Sequence, residues 1–196
     1  MINVQTLWSI RPLPLLSACE VHWLFASGSL TERLMKLGNY LIELIDQRET
    51  SADLVDTVPL GIPPGTTVWI RTVLMRIDDR ACVTARSVAP VGALASEWAS
   101  LAGYGEQPLG KILYGDPAIT RTPFECALLA PDEPLDEISR RYCECAPASL
   151  RARRSTFVRN GSPLLVCECF LPQFWYSFAD AALRLHQTKR RLRRTP

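Results

Sequence analysis

Apolar residues along this chain alternate with polar ones more often than they recur at helical spacing. The pattern therefore divides it into strands and a few short helices. Residues 68–77 are rich in β-branched and large apolar side chains, which suit a pleated, half-buried surface and predict a strand. Asp78-Asp79 supplies a turn, and residues 81–88 return as a second strand. Residues 155–158 and 163–171 predict two more, joined at Asn160-Gly161, a pair suited to a tight hairpin. Residues 40–47 read as a strand, and residues 119–128 as another, interrupted by Pro123. Helical spacing marks residues 19–26. It also marks a stretch that starts with Ser29 and Glu32 in capping-box register and runs through Leu30, Leu34 and Leu37 to Gly38-Asn39. Residues 96–101 predict a short helix, and Pro108-Leu109-Gly110 opens a short apolar stretch to Tyr114. Residues 51–67, rich in Asp, Pro and Gly, predict a loop, and the acidic segment 132–139 an exposed one. The result is an α+β fold: a single domain built on an antiparallel sheet with short helices.

Within the first hairpin two arginines stand out. If Asp78 and Asp79 form the loop, each residue on one strand faces the residue whose number completes 157, so Arg71 faces Arg86. Like charges directly opposed destabilise a sheet unless something anionic lies between them. Guanidinium groups bind carboxylate and phosphate bidentately, so the pair predicts a small ligand with more than one negative group. A slip of one residue would place the two side chains on opposite faces.

Glu168 is the second singular residue. The strand around it is apolar on both faces and should be central, with Val166, Glu168 and Phe170 on one face. A lone carboxylate there needs a partner. Two readings stay open together: a buried ion pair with an arginine, or a pocket carboxylate that accepts a hydrogen bond or handles a proton. His22 and His186, the only histidines, offer no nucleophile–base pair. No glycine-rich phosphate loop is present. Arg151-x-Arg153-Arg154-Ser155 is a basic cluster that suits a solvated edge or the mouth of a pocket.

Composition narrows the class. At 196 residues, 47% hydrophobic and 21% charged, the chain suits one soluble domain. No apolar run has the length of a membrane span, and no secretory signal is visible, which places the protein in the cytosol. The seven cysteines are odd in number and read as reduced, buried thiols. The spacing in Cys143-x-Cys145 and Cys167-x-Cys169 is shorter than structural zinc sites use. Residues 173–196 hold six Arg or Lys and one Asp, a net of +5, which leaves −3 for the rest of a chain whose total is +2. That balance argues against a nucleic-acid-gripping surface. The chain divides into a domain at 1–172 and a basic C-terminal tail at 173–196. Phe178, Leu183 and Leu185 suggest a helix in that tail, either solvated or in contact with a partner or membrane surface.

The motifs also occur in a recognisable order. Trp23-Leu24-x-x-x-Gly28-Ser29-Leu30-Thr31-x-Arg33-Leu34 comes first. Trp69-Ile70-Arg71-x-Val73 and Ala85-Arg86-Ser87-Val88-x-Pro90 follow. Next are Pro108-Leu109-Gly110-x-x-Leu113-Tyr114, Arg153-Arg154-Ser155, and Pro163-Leu164-Leu165-Val166-x-Glu168-x-Phe170-Leu171-Pro172. From about residue 20 to 172 the chain resembles chorismate lyase. The resemblance implies conversion of chorismate to 4-hydroxybenzoate and pyruvate, the step that feeds ubiquinone synthesis, with neither metal nor organic cofactor. The protein is expected to be a monomer. It implies a ligand buried beneath flaps. Arg71 would bind the ring carboxylate, assisted by the Leu109 backbone N–H. Glu168 would contact the ring hydroxyl, Leu30 would touch the ligand, and Arg86 would meet the enolpyruvyl carboxylate. Arg71, Arg86 and Glu168 are thus the expected catalytic residues. Two alternatives remain: a lyase giving a different hydroxybenzoate isomer, and a ligand-sensing domain of similar fold. Only about 20 residues precede the resemblance, too few for a DNA-binding module, which favours the lyase.

Overall fold

Seven strands form one antiparallel sheet in the computed structural model, which describes residues 6–179 apart from 102, 132 and 146. In chain order the elements are α1 (Ala18–Leu24), α2 (Leu30–Leu34), β1 (Tyr40–Ser51), α3 (Leu54–Leu60), β2 (Thr67–Ile77), β3 (Arg80–Pro90) and α4 (Val91–Leu94). They continue with α5 (Gly110–Gly115), β4 (Ile119–Arg121), β5 (Glu125–Leu128), α6 (Pro134–Arg140), β6 (Arg151–Arg159), β7 (Ser162–Phe170) and α7 (Pro172–Phe174). The strand order is β1-β2-β3-β7-β6-β4, and β5 pairs β6 beyond the end of β4. Glu168 therefore lies on a central strand, as its apolar surroundings predict.

Local chemistry explains most element ends. Ser17 and Glu20 close a reciprocal capping box on α1. Ser29 caps α2 by accepting from the Glu32 N–H. The turns of both central hairpins need positive φ at two successive residues, and Asp78, Asp79, Asn160 and Gly161 all adopt it.

Three sequence expectations are corrected. The 51–67 segment is not all loop, because α3 forms within it and ends on Gly61 in the left-handed conformation. The acidic 132–139 segment is not simply an exposed loop: α6 forms within it and buries Leu135, Asp136 and Ser139. The third correction concerns register. Arg76 faces Ala81, but Met75 faces Val83, so Cys82 is an extra residue bulged out of β3. Beyond it Arg71 faces Ser87 and Arg86 faces Thr72. One inserted residue has moved Arg86 to the other face of the sheet from Arg71.

The two faces carry different layers. On the front, Trp23, Leu34, Val73, Met75, Phe170 and Phe174 form one cluster beneath α1 and α2, and Trp69, Trp98, Leu101 and Phe157 form another near α5. On the back, Ile70, Val88, Leu165 and Cys169 pack against Leu60 of α3 and Leu135 of α6. Cys82, Cys126, Cys167 and Cys169 are buried free thiols. The chain does not leave the fold at residue 172: Phe174 and Ala179 are buried in the front core. The rest of the expected tail, 180–196, lies outside the described residues. Among the described residues no helix is long and apolar enough to cross a membrane.

Candidate active site

A cavity of about 540 Å³, counting its mouth, opens on the front of the sheet. Its floor is Arg71, Val73 and Met75 of β2, Ala85 and Ser87 of β3, and Val166 and Glu168 of β7. These are alternate residues of adjacent strands, as one face of a pleated sheet requires. Its roof is the N-terminal end of α2, with Ser29, Leu30 and Thr31, and the Pro108–Gly110 turn that enters α5. The two roof segments touch where Gly110 meets Ser29, and a side chain at Gly110 would collide with the serine hydroxyl.

Arg71 is 2% exposed. Its Nε and Nη2 donate to the Gly105 carbonyl at 2.9 and 2.6 Å, and Nη2 also donates to the Gln107 carbonyl at 2.9 Å. Among the described residues no carboxylate pairs with it within 4.0 Å. Burial draws its pKa below the ordinary arginine value, although the Tyr40 and Tyr104 phenols oppose the shift. A buried cation held only by neutral carbonyls is poorly compensated, and an anionic ligand would complete it. Tyr40, close enough to feel both Arg71 and Glu168, stays a neutral phenol because burial pushes its pKa up to about 12.

Glu168 meets a guanidinium on the same floor. Arg153, 1% exposed, donates from Nε to Glu168 Oε2 at 2.5 Å, and from Nη1 to the Trp23 and Ala26 carbonyls at 3.1 and 3.2 Å. Glu168 thus has a buried ionic partner and also lines the cavity. Arg153 also ties the floor to the end of α1, just before the turn that delivers Leu30. Its position was available from the sequence. The hairpin closed by Asn160-Gly161 has no bulge, so residues whose numbers complete 321 face each other, and Arg153 faces Glu168.

Of the residues singled out in the sequence, the structure brings Leu30, Arg71, Leu109 and Glu168 together around one cavity. It does not bring Arg86 there. Arg86, 4% exposed, lies on the back, where Nη1 and Nη2 donate to the two Asp56 oxygens at 2.5 and 2.7 Å. Burial alone would lower its pKa, but the hydrogen bonds and charge of Asp56 hold it above the ordinary value. Asp56 escaped the sequence reading because α3 did. The signal was Asp53 ahead of a short apolar run with Gly61 behind it.

A roofed cavity on one face of an antiparallel sheet, with an uncompensated guanidinium in its floor, defines an α+β domain built to enclose a small anion. Comparison with known proteins narrows the class. The family model described as "Chorismate lyase" matches residues 5–179. "Probable chorismate pyruvate-lyase 1" of Burkholderia pseudomallei (strain 1710b) is 58% identical over 182 residues, covering 93% of this chain and 98% of the relative. "Probable chorismate pyruvate-lyase 1" of Pseudomonas fluorescens (strain Pf0-1) is 50% identical over 168 residues, covering 86% and 90%. Among solved structures, the effector domain of PhnF from Mycobacterium smegmatis superposes with a TM-score of 0.53 at 16% identity, over 74% of this chain and 90% of that one. That last likeness is one of fold alone. The chain belongs to the chorismate lyase family.

Proposed function

We propose that this protein converts chorismate to 4-hydroxybenzoate and pyruvate. The observation that carries the reading is Arg71, a buried guanidinium with no acidic partner among the described residues, opening onto the same cavity as Glu168. Chorismate presents a ring carboxylate and, across the ring, a hydroxyl. Arg71 takes the carboxylate in place of the Gly105 and Gln107 carbonyls, with the Leu109 N–H assisting. Glu168 accepts from the hydroxyl, and Leu30 packs over the ring.

The reaction is an elimination. The ring carbon that bears the hydroxyl loses a proton, and its electron pair forms the new ring double bond. The neighbouring carbon–oxygen ether bond breaks, and the enolpyruvyl oxygen leaves with the bonding electrons. Protonation of that fragment gives pyruvate. Aromatisation drives the step, so the protein's task is to orient the ether, exclude water and stabilise charge on the departing oxygen. Glu168 is placed to receive the ring proton or to hold the hydroxyl. The reading has the protein act in the cytosol, as a monomer without a cofactor, and supply 4-hydroxybenzoate for ubiquinone synthesis. A cavity that encloses both ring and charge makes product release the slow step.

The test is incubation with chorismate and chromatographic identification of the products. Equal amounts of 4-hydroxybenzoate and pyruvate are expected. A different hydroxybenzoate isomer would correct the regiochemistry, and binding without turnover would point to a sensor. Glu168→Gln should lower turnover, and unchanged turnover with unchanged 4-hydroxybenzoate affinity would remove Glu168 from the site.

A further inference from the structure

We infer that Arg121 binds the carboxylate of the substrate's three-carbon enolpyruvyl side chain, at the rim of the cavity across the sheet from Arg71. The inference rests on chorismate being the substrate. That molecule carries two carboxylates, and Arg71 answers one.

Other buried and half-buried arginines near the sheet are already committed. Arg86 is on the back with Asp56, Arg153 is bonded to Glu168 and two carbonyls, and Arg154 pairs with Glu125. Arg33 lies over Trp23, with its Nη2 2.8 Å from His22 Nε2. Arg121 differs. It faces Phe157 across β4 and β6, which puts it on the cavity side of the sheet. Its guanidinium carbon sits 3.9 Å over the ring of Phe124, and Phe124, Phe157 and Tyr114 all line the cavity. Arg153 lies 4.2 Å over the same ring. The two guanidinium groups thus meet at one ring. Stacking on Phe124 holds Arg121 as a pre-oriented donor, which lowers the ordering cost of binding.

Its hydrogen bonds leave room for a ligand. Both use Nη1, to the Thr122 carbonyl at 2.8 Å and to Ser155 Oγ at 3.1 Å. Among the described residues no carboxylate pairs with Arg121 within 4.0 Å. Charge counting agrees: Arg71, Arg121 and Arg153 against Glu168 leave a formal surplus of two positive charges around the cavity, matching a dianion. After cleavage the surplus faces two monoanions, one beside each unpaired arginine. Arg121 then stands next to the fragment that carries the departing electron pair, where its charge helps the ether bond break.

The experiment compares two ligands by calorimetry. One is 4-hydroxybenzoate. The other is its non-reacting analogue with a 1-carboxyvinyloxy group at ring position 3, which restores the second carboxylate. Arg121→Met keeps an apolar stem over Phe124 and removes the charge. It should weaken the dianion about tenfold or more while leaving 4-hydroxybenzoate within about twofold. KM for chorismate should rise in parallel. Arg121→Lys, which keeps the charge but not the fork, should fall between wild type and Arg121→Met, and it carries the test if the Met variant does not fold. Equal weakening of both ligands, or of neither, would overturn the assignment. Wild-type protein that binds neither ligand and leaves chorismate intact would overturn the functional reading, and this inference with it.

Discussion

Arg71 and Arg86 sit on neighbouring strands, are almost equally buried, and have opposite fates. Behind the sheet, Arg86 has both forks of its guanidinium on Asp56. In front, Arg71 has carbonyl oxygens and no acid among the described residues. The back-face pair is complete, so its energy is spent within the fold. The front-face cation has no acid beside it among the described residues, which leaves the position that the proposed substrate carboxylate would fill. Burial alone does not separate a structural charge from a functional one; the identity of the partner does.

Removing each arginine should split these roles most sharply. Arg71→Ala should lower kcat/KM by about a thousandfold or more, because it deletes the cation that orients the ring. Its melting temperature should stay near wild type, since an uncompensated buried charge contributes little to stability. An active Arg71→Ala protein would refute the contrast outright. Arg86→Ala should do the reverse. It strands the Asp56 carboxylate and should cost about 3–5 kcal/mol in denaturant titrations. The protein that remains folded should turn over at close to the wild-type rate. Replacing both partners, as Arg86→Met with Asp56→Leu, should recover most of that loss.

A smaller effect tests the roof that belongs only to the front. Gly110→Ala should push α5 off Ser29 and lower kcat/KM by up to about 100-fold, with a melting temperature little changed. Ser29→Gly in the same chain should restore part of the activity by opening space for the methyl group.

The mildest prediction concerns pH and the back layer. Burial pushes the Cys167 and Cys169 thiols up to about 12, as it does Cys82 in the bulge. The folded state therefore keeps protons that the unfolded chain releases above its ordinary thiol pKa of about 9. Stability should fall as pH rises from about 9 towards 12, and urea melts across that range should show it. Cys169→Ala should flatten the slope, whatever it does to stability at neutral pH.

How far the sequence could be read depended on local chemistry. Both central hairpins were legible because Asp78-Asp79 and Asn160-Gly161 announce their turns. For β6 and β7, counting outward from the turn reaches the Arg153–Glu168 contact directly. The same counting for β2 and β3 fails at Cys82, since an apolar residue in a bulge looks like any other apolar residue in a strand. That one failure misplaced Arg86. The motifs nevertheless located the cavity, because Leu30, Arg71, Leu109 and Glu168 belong to segments that do not depend on the register. α3 and α6 were illegible for another reason. Each is seven residues long, and each is stabilised by what it packs on rather than by its own propensity.

The bulge at Cys82 sets a rule for variation in this segment. Many side chains could fill position 82, since its place in the strand asks only for a small apolar group. The number of residues between the Asp78-Asp79 turn and Arg86 matters less than where the surplus one sits. Losing Cys82 would close the bulge and leave Arg86 opposite Thr72 and Ser87 opposite Arg71. Drawing Cys82 into the ladder at unchanged length would instead turn the cavity floor of β3 outward and aim Arg86 into the cavity, away from its aspartate. In this stretch the sidedness of the sheet is held by one residue staying out of step.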